Sequence, residues 1–217
     1  MPFRLKESAR DIGVVLSIFV LVLITVSVIA FSMNSLELPI WASSLAAQLV
    51  FIGIPLATIK LFRNGRRELG LSLTTHDLVR VSLISISVAI AVICIISSIP
   101  EDGGGQPELI EDPVLLAILT LLVAPPCEEM FFRGLLQGYM LSRRYFKLSI
   151  ILPALLFSIM HVIPFQSAGP ATLSAILAGA LALGLIAGYF RATSGSLLHA
   201  VLAHFLFNLV GYVVMMI

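Results

Sequence analysis

Residues 114–141 read VLLAILTLLVAPPCEEMFFRGLLQGYML, an apolar run long enough to cross a bilayer that carries Glu128, Glu129 and Arg133 in its second half. A bilayer core takes about 20 mostly apolar residues per helix, within a range of roughly 17–25. A charge at its centre costs about 2.5–3.5 kcal/mol on insertion scales. Three such groups in six residues cannot face lipid, so this segment must turn one side toward a protein interior or a wet cavity. Pro125-Pro126, in the middle of the run, is expected to break or kink the helix. A membrane tolerates that where neighbouring helices or water satisfy the freed carbonyls.

The rest of the chain has the same character. Hydrophobic residues make up 59% of 217 and charged residues 12%, about half the charged share of a soluble domain, which is roughly 25%. Lipid must replace water as the solvent for much of the surface. Seven segments are long or nearly long enough to span: about 12–33, 39–61, 79–99, 114–141, 147–163, 171–190 and 195–216. The first follows Arg4, Lys6 and Arg10 as a secretory signal would, and Ala30-Phe31-Ser32 resembles a cleavage site. The run is longer than the roughly 7–15 residues of a signal core, so it is read as a transmembrane helix. The expected fold is all-α, a polytopic bundle of about seven transmembrane helices. Its N-terminal helices and loops occupy 1–113 and its functional core 114–217, in one integrated membrane domain.

Charge orders the loops. Counted from an N-terminus inside, one side holds Arg4, Lys6, Arg10, Lys60, Arg63, Arg66, Arg67, Arg80, Arg143, Arg144, Lys147 and Arg191, which is twelve of the thirteen basic residues. The opposite loops hold Glu37, Glu101, Asp102, Glu108, Glu111 and Asp112 and no Lys or Arg. Positive charge stays cytoplasmic during insertion. The expected topology has the N-terminus in the cytoplasm and the C-terminus outside, in the cell membrane, with 100–113 as a flexible external connector. Basic residues come in twos and threes without interleaved aromatics, so nucleic acid is not an expected partner; membrane lipid is. Cys94 and Cys127 lie within apolar runs and form no disulfide framework. The sequence is silent on oligomeric state.

Arg133 is the thirteenth basic residue. It stands four residues after Glu129 and on its face, the spacing of an i,i+4 ion pair. Glu128 points about 100° away and has no cation nearby in sequence. One acid therefore reads as structural and the other as free to act, for instance as a general base near neutral pH. His161 closes the fifth span, one turn after Phe157. His204 and Asn208 share a face of the seventh. His199 is read as a polar residue at a helix start, and His76 as a loop residue. Pairs of the serine type, Ser158 with His161 or Ser196 with His199, and a Cys127–Glu128 dyad are weaker readings; a membrane-helix serine usually bonds back to a carbonyl.

Three motifs now stand in order: Glu128-Glu129-x-x-x-Arg133, Phe157-x-x-x-His161 and His204-x-x-x-Asn208. Together they resemble those of the CAAX-protease and bacteriocin-processing (CPBP, Abi) intramembrane endopeptidases, over about 114–208, with no departure at the motif positions. The resemblance implies hydrolysis of a peptide bond in a membrane-associated substrate, prenylated or bacteriocin-like, as in type II CAAX prenyl endopeptidases. It implies that Glu128 and His161 activate water, that His204 and Asn208 bind the oxyanion, and that Glu129 and Arg133 support the helix. The family is often described as metalloproteases, and Glu128, His161 and His204 would be the zinc ligands if zinc is bound. No His-Glu-x-x-His motif is present, and water activation by glutamate and histidine requires no cofactor. Two other readings use the same residues: a non-catalytic immunity or scaffold protein of this fold, and a proton-coupled transporter. No internal repeat of the transporter kind is visible.

Overall fold

The structure, a computed structural model, describes residues 2–58, 65–100 and 110–217. Most of the expected connector at 100–113, and Lys60 and Arg63, lie outside the described residues. The described chain is helical: α1 (Pro2–Ser35), α2 (Ile40–Thr58), a single turn at Gly65–Glu68, α3 (Leu78–Ser97), a long helix α4 (Pro113–Ser142), α5 (Phe146–Met160), α6 (Pro170–Ser194) and α7 (Leu197–Met216). All but α5 of the seven are long and apolar enough to cross a membrane. The fifth span, expected at 147–163, is a shorter apolar helix that stops at Met160.

Burial runs opposite to that of a water-soluble protein. Phe31 and Leu122 are 74% and 63% exposed, whereas Glu129, Arg133 and Gln137 are fully buried. Exposed apolar side chains have no cost against lipid tails, and buried polar ones must be paired within the bundle. The chain is an integral membrane protein.

Helix α4 lies at the centre, between α2 on one side and α5 and α7 on the other; α6 packs on α5, α7 and α3. Its start is fixed locally. Asp112 accepts from the backbone N–H of Val114 and Leu115, at 2.8 and 3.1 Å, and Pro113 occupies the first turn, where its missing N–H has no cost. The break expected at Pro125-Pro126 does not occur. Helical bonding continues through two wider π-helical stretches, Ile118–Val123 and Met130–Leu136. The wide turn before the prolines moves the backbone bond of Ala124 one residue further back, to Leu119, so the ring is accommodated without ending the helix.

Phe131 and Phe132 anchor α4. Phe132 meets Phe157 edge-on at 5.2 Å between ring centres, and both phenylalanines touch Phe51 of α2. Toward α6 the contact is polar and close. Arg133 Nη2 donates to the Gly184 carbonyl at 3.1 Å, and Gln137 Nε2 to that of Gly188 at 2.7 Å. The first of these rungs needs glycine. A Cβ on Gly184 would stand 2.9 Å from the Ala154 Cβ and 3.2 Å from Arg133 Nη2. Gly184→Ala should therefore destabilise the protein by about 1–3 kcal/mol, the usual cost of overpacking. Gly13→Ala, whose Cβ meets nothing within 4 Å, should not destabilise it; chemical unfolding in mixed micelles compares the two.

The described part of the segment between α2 and α3 is docked. Arg191 Nη2 donates to the Glu68 carbonyl at 2.7 Å, and Leu197 N–H to Gly70 O at 2.8 Å. His199, expected to be a polar residue at a helix start, is fully buried in the first turn of α7 and hydrogen-bonds the backbone carbonyl of His76.

Candidate active site

The predicted ion pair forms. Arg133 Nη1 donates to Glu129 Oε1 at 3.0 Å, both side chains are fully buried, and the guanidinium lies 4.7 Å from the Phe157 ring centre. The same Glu129 oxygen accepts from His204 Nδ1 at 2.9 Å. Glu129 thus ties α4 to α7, while Arg133 ties it to α6.

Glu128 turns the other way, toward α2, as the helical offset requires. Its Oε1 accepts from Gln48 Nε2 at 2.9 Å, and its Oε2 lies 4.0 Å from His204 Nε2. Its side chain is 12% exposed, so it is the acid of the pair that opens onto free space.

Phe157 brings the two histidines together. Its ring centre is 4.7 Å from that of His161 and 5.4 Å from that of His204. His161 caps the C-terminus of α5, which ends at Met160. In each ring the acceptor fixes a proton on Nδ1. A carbonyl only accepts, so His161 Nδ1, 2.8 Å from Phe157 O, carries a proton and leaves Nε2 as the acceptor. A carboxylate also only accepts, so His204 Nδ1 is the donor to Glu129.

Asn208 has a structural partner that the sequence did not announce. Its Nδ2 donates to the Thr120 carbonyl at 2.9 Å. That carbonyl is left over by the wide turn: Ala124 bonds Leu119 instead, and Pro125 has no N–H to offer. One Nδ2 hydrogen is spent there and the other stays free. Asn208→Leu should cost about 1–3 kcal/mol of stability by orphaning a buried carbonyl. Pro125→Ala in the same chain should restore part of it by supplying an N–H; unfolding midpoints of the single and double variants test this.

Glu128, His161, His204 and Asn208 all line one cavity of about 540 Å³, whose walls include Val92, Ile96, Leu116 and Phe207. Most of the remaining lining is apolar. The weaker pairs do not assemble: Ser158 Oγ donates across to Leu177 O at 2.8 Å, and Ser196 caps α7 by accepting from Leu198 N–H. Cys127 is packed in the hydrophobic core. Among the described residues no three His, Cys, Asp or Glu side chains form a group that could hold a metal ion.

Gln48 is the contact that sequence reasoning missed. A lone amide in a span without charges was the available signal, but its partner lies 80 residues away.

Residues 110–210 match the family model described as type II CAAX prenyl endopeptidase Rce1-like. No curated protein and no solved structure matches the chain.

Proposed function

From the match of residues 110–210 to the type II CAAX prenyl endopeptidase Rce1-like family model we propose that the chain is an intramembrane endopeptidase acting on membrane-associated peptides or lipidated proteins. The observation that carries this reading is the convergence of Glu128, His161, His204 and Asn208 on one cavity. Ionisable groups this deep in hydrocarbon are retained where they serve a function.

The reaction as proposed is run by side chains. His161 Nε2 and the Glu128 carboxylate draw a proton from water as its oxygen attacks the scissile carbonyl carbon. The carbonyl oxygen becomes an oxyanion and receives hydrogen bonds from the free Asn208 Nδ2 hydrogen and from His204 Nε2. For His204 to donate there while holding Glu129, its ring must carry both protons. The proton taken from water passes to the leaving nitrogen, the C–N bond breaks, and an amine and a carboxylic acid depart, the acid giving up its own proton to water on release.

The apolar walls suit a substrate that arrives from the bilayer with a hydrocarbon chain attached, prenyl or acyl. The basic residues at 4–10, 60–67, 80, 143–147 and 191 support a cytoplasmic N-terminus, an external C-terminus and residence in the cell membrane. The test compares peptides of one sequence, free or carrying a prenyl group, offered to the purified protein in lipid nanodiscs. Fragments identified by mass spectrometry should appear chiefly from the lipidated peptide, and none above background with Glu128→Ala. Equal cleavage by wild type and Glu128→Ala would remove the assignment.

A further inference from the structure

We infer that Gln48, on α2 and outside the stretch shared with the family, is a positioning residue for Glu128: its amide fixes one carboxylate oxygen so that the other is presented to the cavity. This rests on the endopeptidase reading of Glu128.

The geometry is specific. Among the described polar side chains of α2, Ser44 also lines the cavity, but its hydroxyl turns back to Ile40 O at 3.1 Å. Gln48 instead reaches across and bonds Glu128 Oε1 at 2.9 Å. An ionised carboxylate only accepts, so the amide must present its NH2 group, and its own oxygen is left pointing elsewhere. That oxygen, Gln48 Oε1, is buried with no donor among the described residues. It is an acceptor for an N–H or O–H that enters the cavity.

The consequence for Glu128 is a division of labour between its two oxygens. Oε1 is held from α2, and Oε2 lies on the His204 side, 4.0 Å from Nε2. A glutamate has three rotatable bonds, and without Gln48 nothing on α2 would restrain it. Preorganised geometry is worth large factors in rate, because a displacement of about 1 Å can cost roughly a hundredfold. Polar residues that bond across membrane helices also fix how the helices meet. Here the bond joins α2, which the motifs do not cover, to the candidate base on α4.

The experiment measures kcat and KM for a lipidated peptide in nanodiscs with wild type, Gln48→Met, Glu128→Asp and the double variant. Methionine keeps the length and removes both amide functions. Aspartate places its carboxylate one methylene short of Gln48. Gln48→Met should lower kcat about tenfold, the effect of losing one hydrogen bond to a charged group, with KM changed by less than about threefold. In the Glu128→Asp background the same substitution should change kcat by less than about twofold, because its partner is already out of reach. Wild-type kcat in Gln48→Met, or an equal fall in both backgrounds, would overturn the inference. Gln48→Asn, which keeps the amide on a shorter arm, should lose less than Gln48→Met; an equal or larger loss counts against it, and this comparison stands if the methionine variant folds poorly. Cleavage that does not depend on Glu128 at all would sink the enzymatic reading instead, so the two failures are distinguishable.

Discussion

Arg133→Leu should destabilise the protein by about 3–5 kcal/mol, which is the cost of leaving a buried charge without its partner. The guanidinium is fully buried and makes three kinds of contact at once: the Glu129 carboxylate at 3.0 Å, the Gly184 carbonyl at 3.1 Å and the face of Phe157 at 4.7 Å. Removing it leaves the fully buried Glu129 carboxylate with only His204 Nδ1 and opens the seam between α4 and α6. Arg133→Lys should recover only part of the loss. A lysine offers a point charge where the planar guanidinium reaches carboxylate and carbonyl together. Unfolding midpoints in mixed micelles measure both, and a loss under about 1 kcal/mol for the leucine variant would mean the cluster is far less consequential than its burial implies.

His204→Leu should lower kcat by about two to three orders of magnitude, the range found when an oxyanion donor is removed. It should also weaken the fold by about 1–3 kcal/mol, since Glu129 loses a charge-assisted bond yet keeps Arg133. The imbalance between the two numbers carries the meaning. A purely structural histidine would lose stability without a matching collapse of turnover in the fraction that remains folded. Turnover normalised to folded protein separates these outcomes.

What the sequence revealed was what depends on local period and composition. Seven apolar runs appear as seven helices among the described residues, six of them long and apolar enough to cross a bilayer. Glu129 and Arg133 pair because four residues make one helical turn, and Glu128 faces elsewhere for the same reason. The less legible features required knowledge of neighbours. Pro125-Pro126 reads as an interruption, but a π-helical turn absorbs it and hands the leftover Thr120 carbonyl to Asn208. Nothing in a one-dimensional pattern distinguishes a broken helix from a widened one. Gln48 could be recognised as an amide misplaced in lipid, but its partner could not, since the rotation of α2 against α4 is set by packing of Phe51 on Phe131 and Phe132. Gly184 and Gly188 look like ordinary small residues of a membrane helix until Arg133 and Gln137 are seen bonding to their carbonyls.

The central claim is that the intramembrane acids, histidines and asparagine form one hydrolytic site, and Glu128→Gln tests it most directly. Glutamine matches glutamate in shape and can still bond Gln48, but it cannot take a proton from water. Wild type and Glu128→Gln, matched for folding in the same nanodiscs, should differ in single-turnover cleavage of a lipidated peptide by about two to four orders of magnitude. Indistinguishable rates would contradict the account.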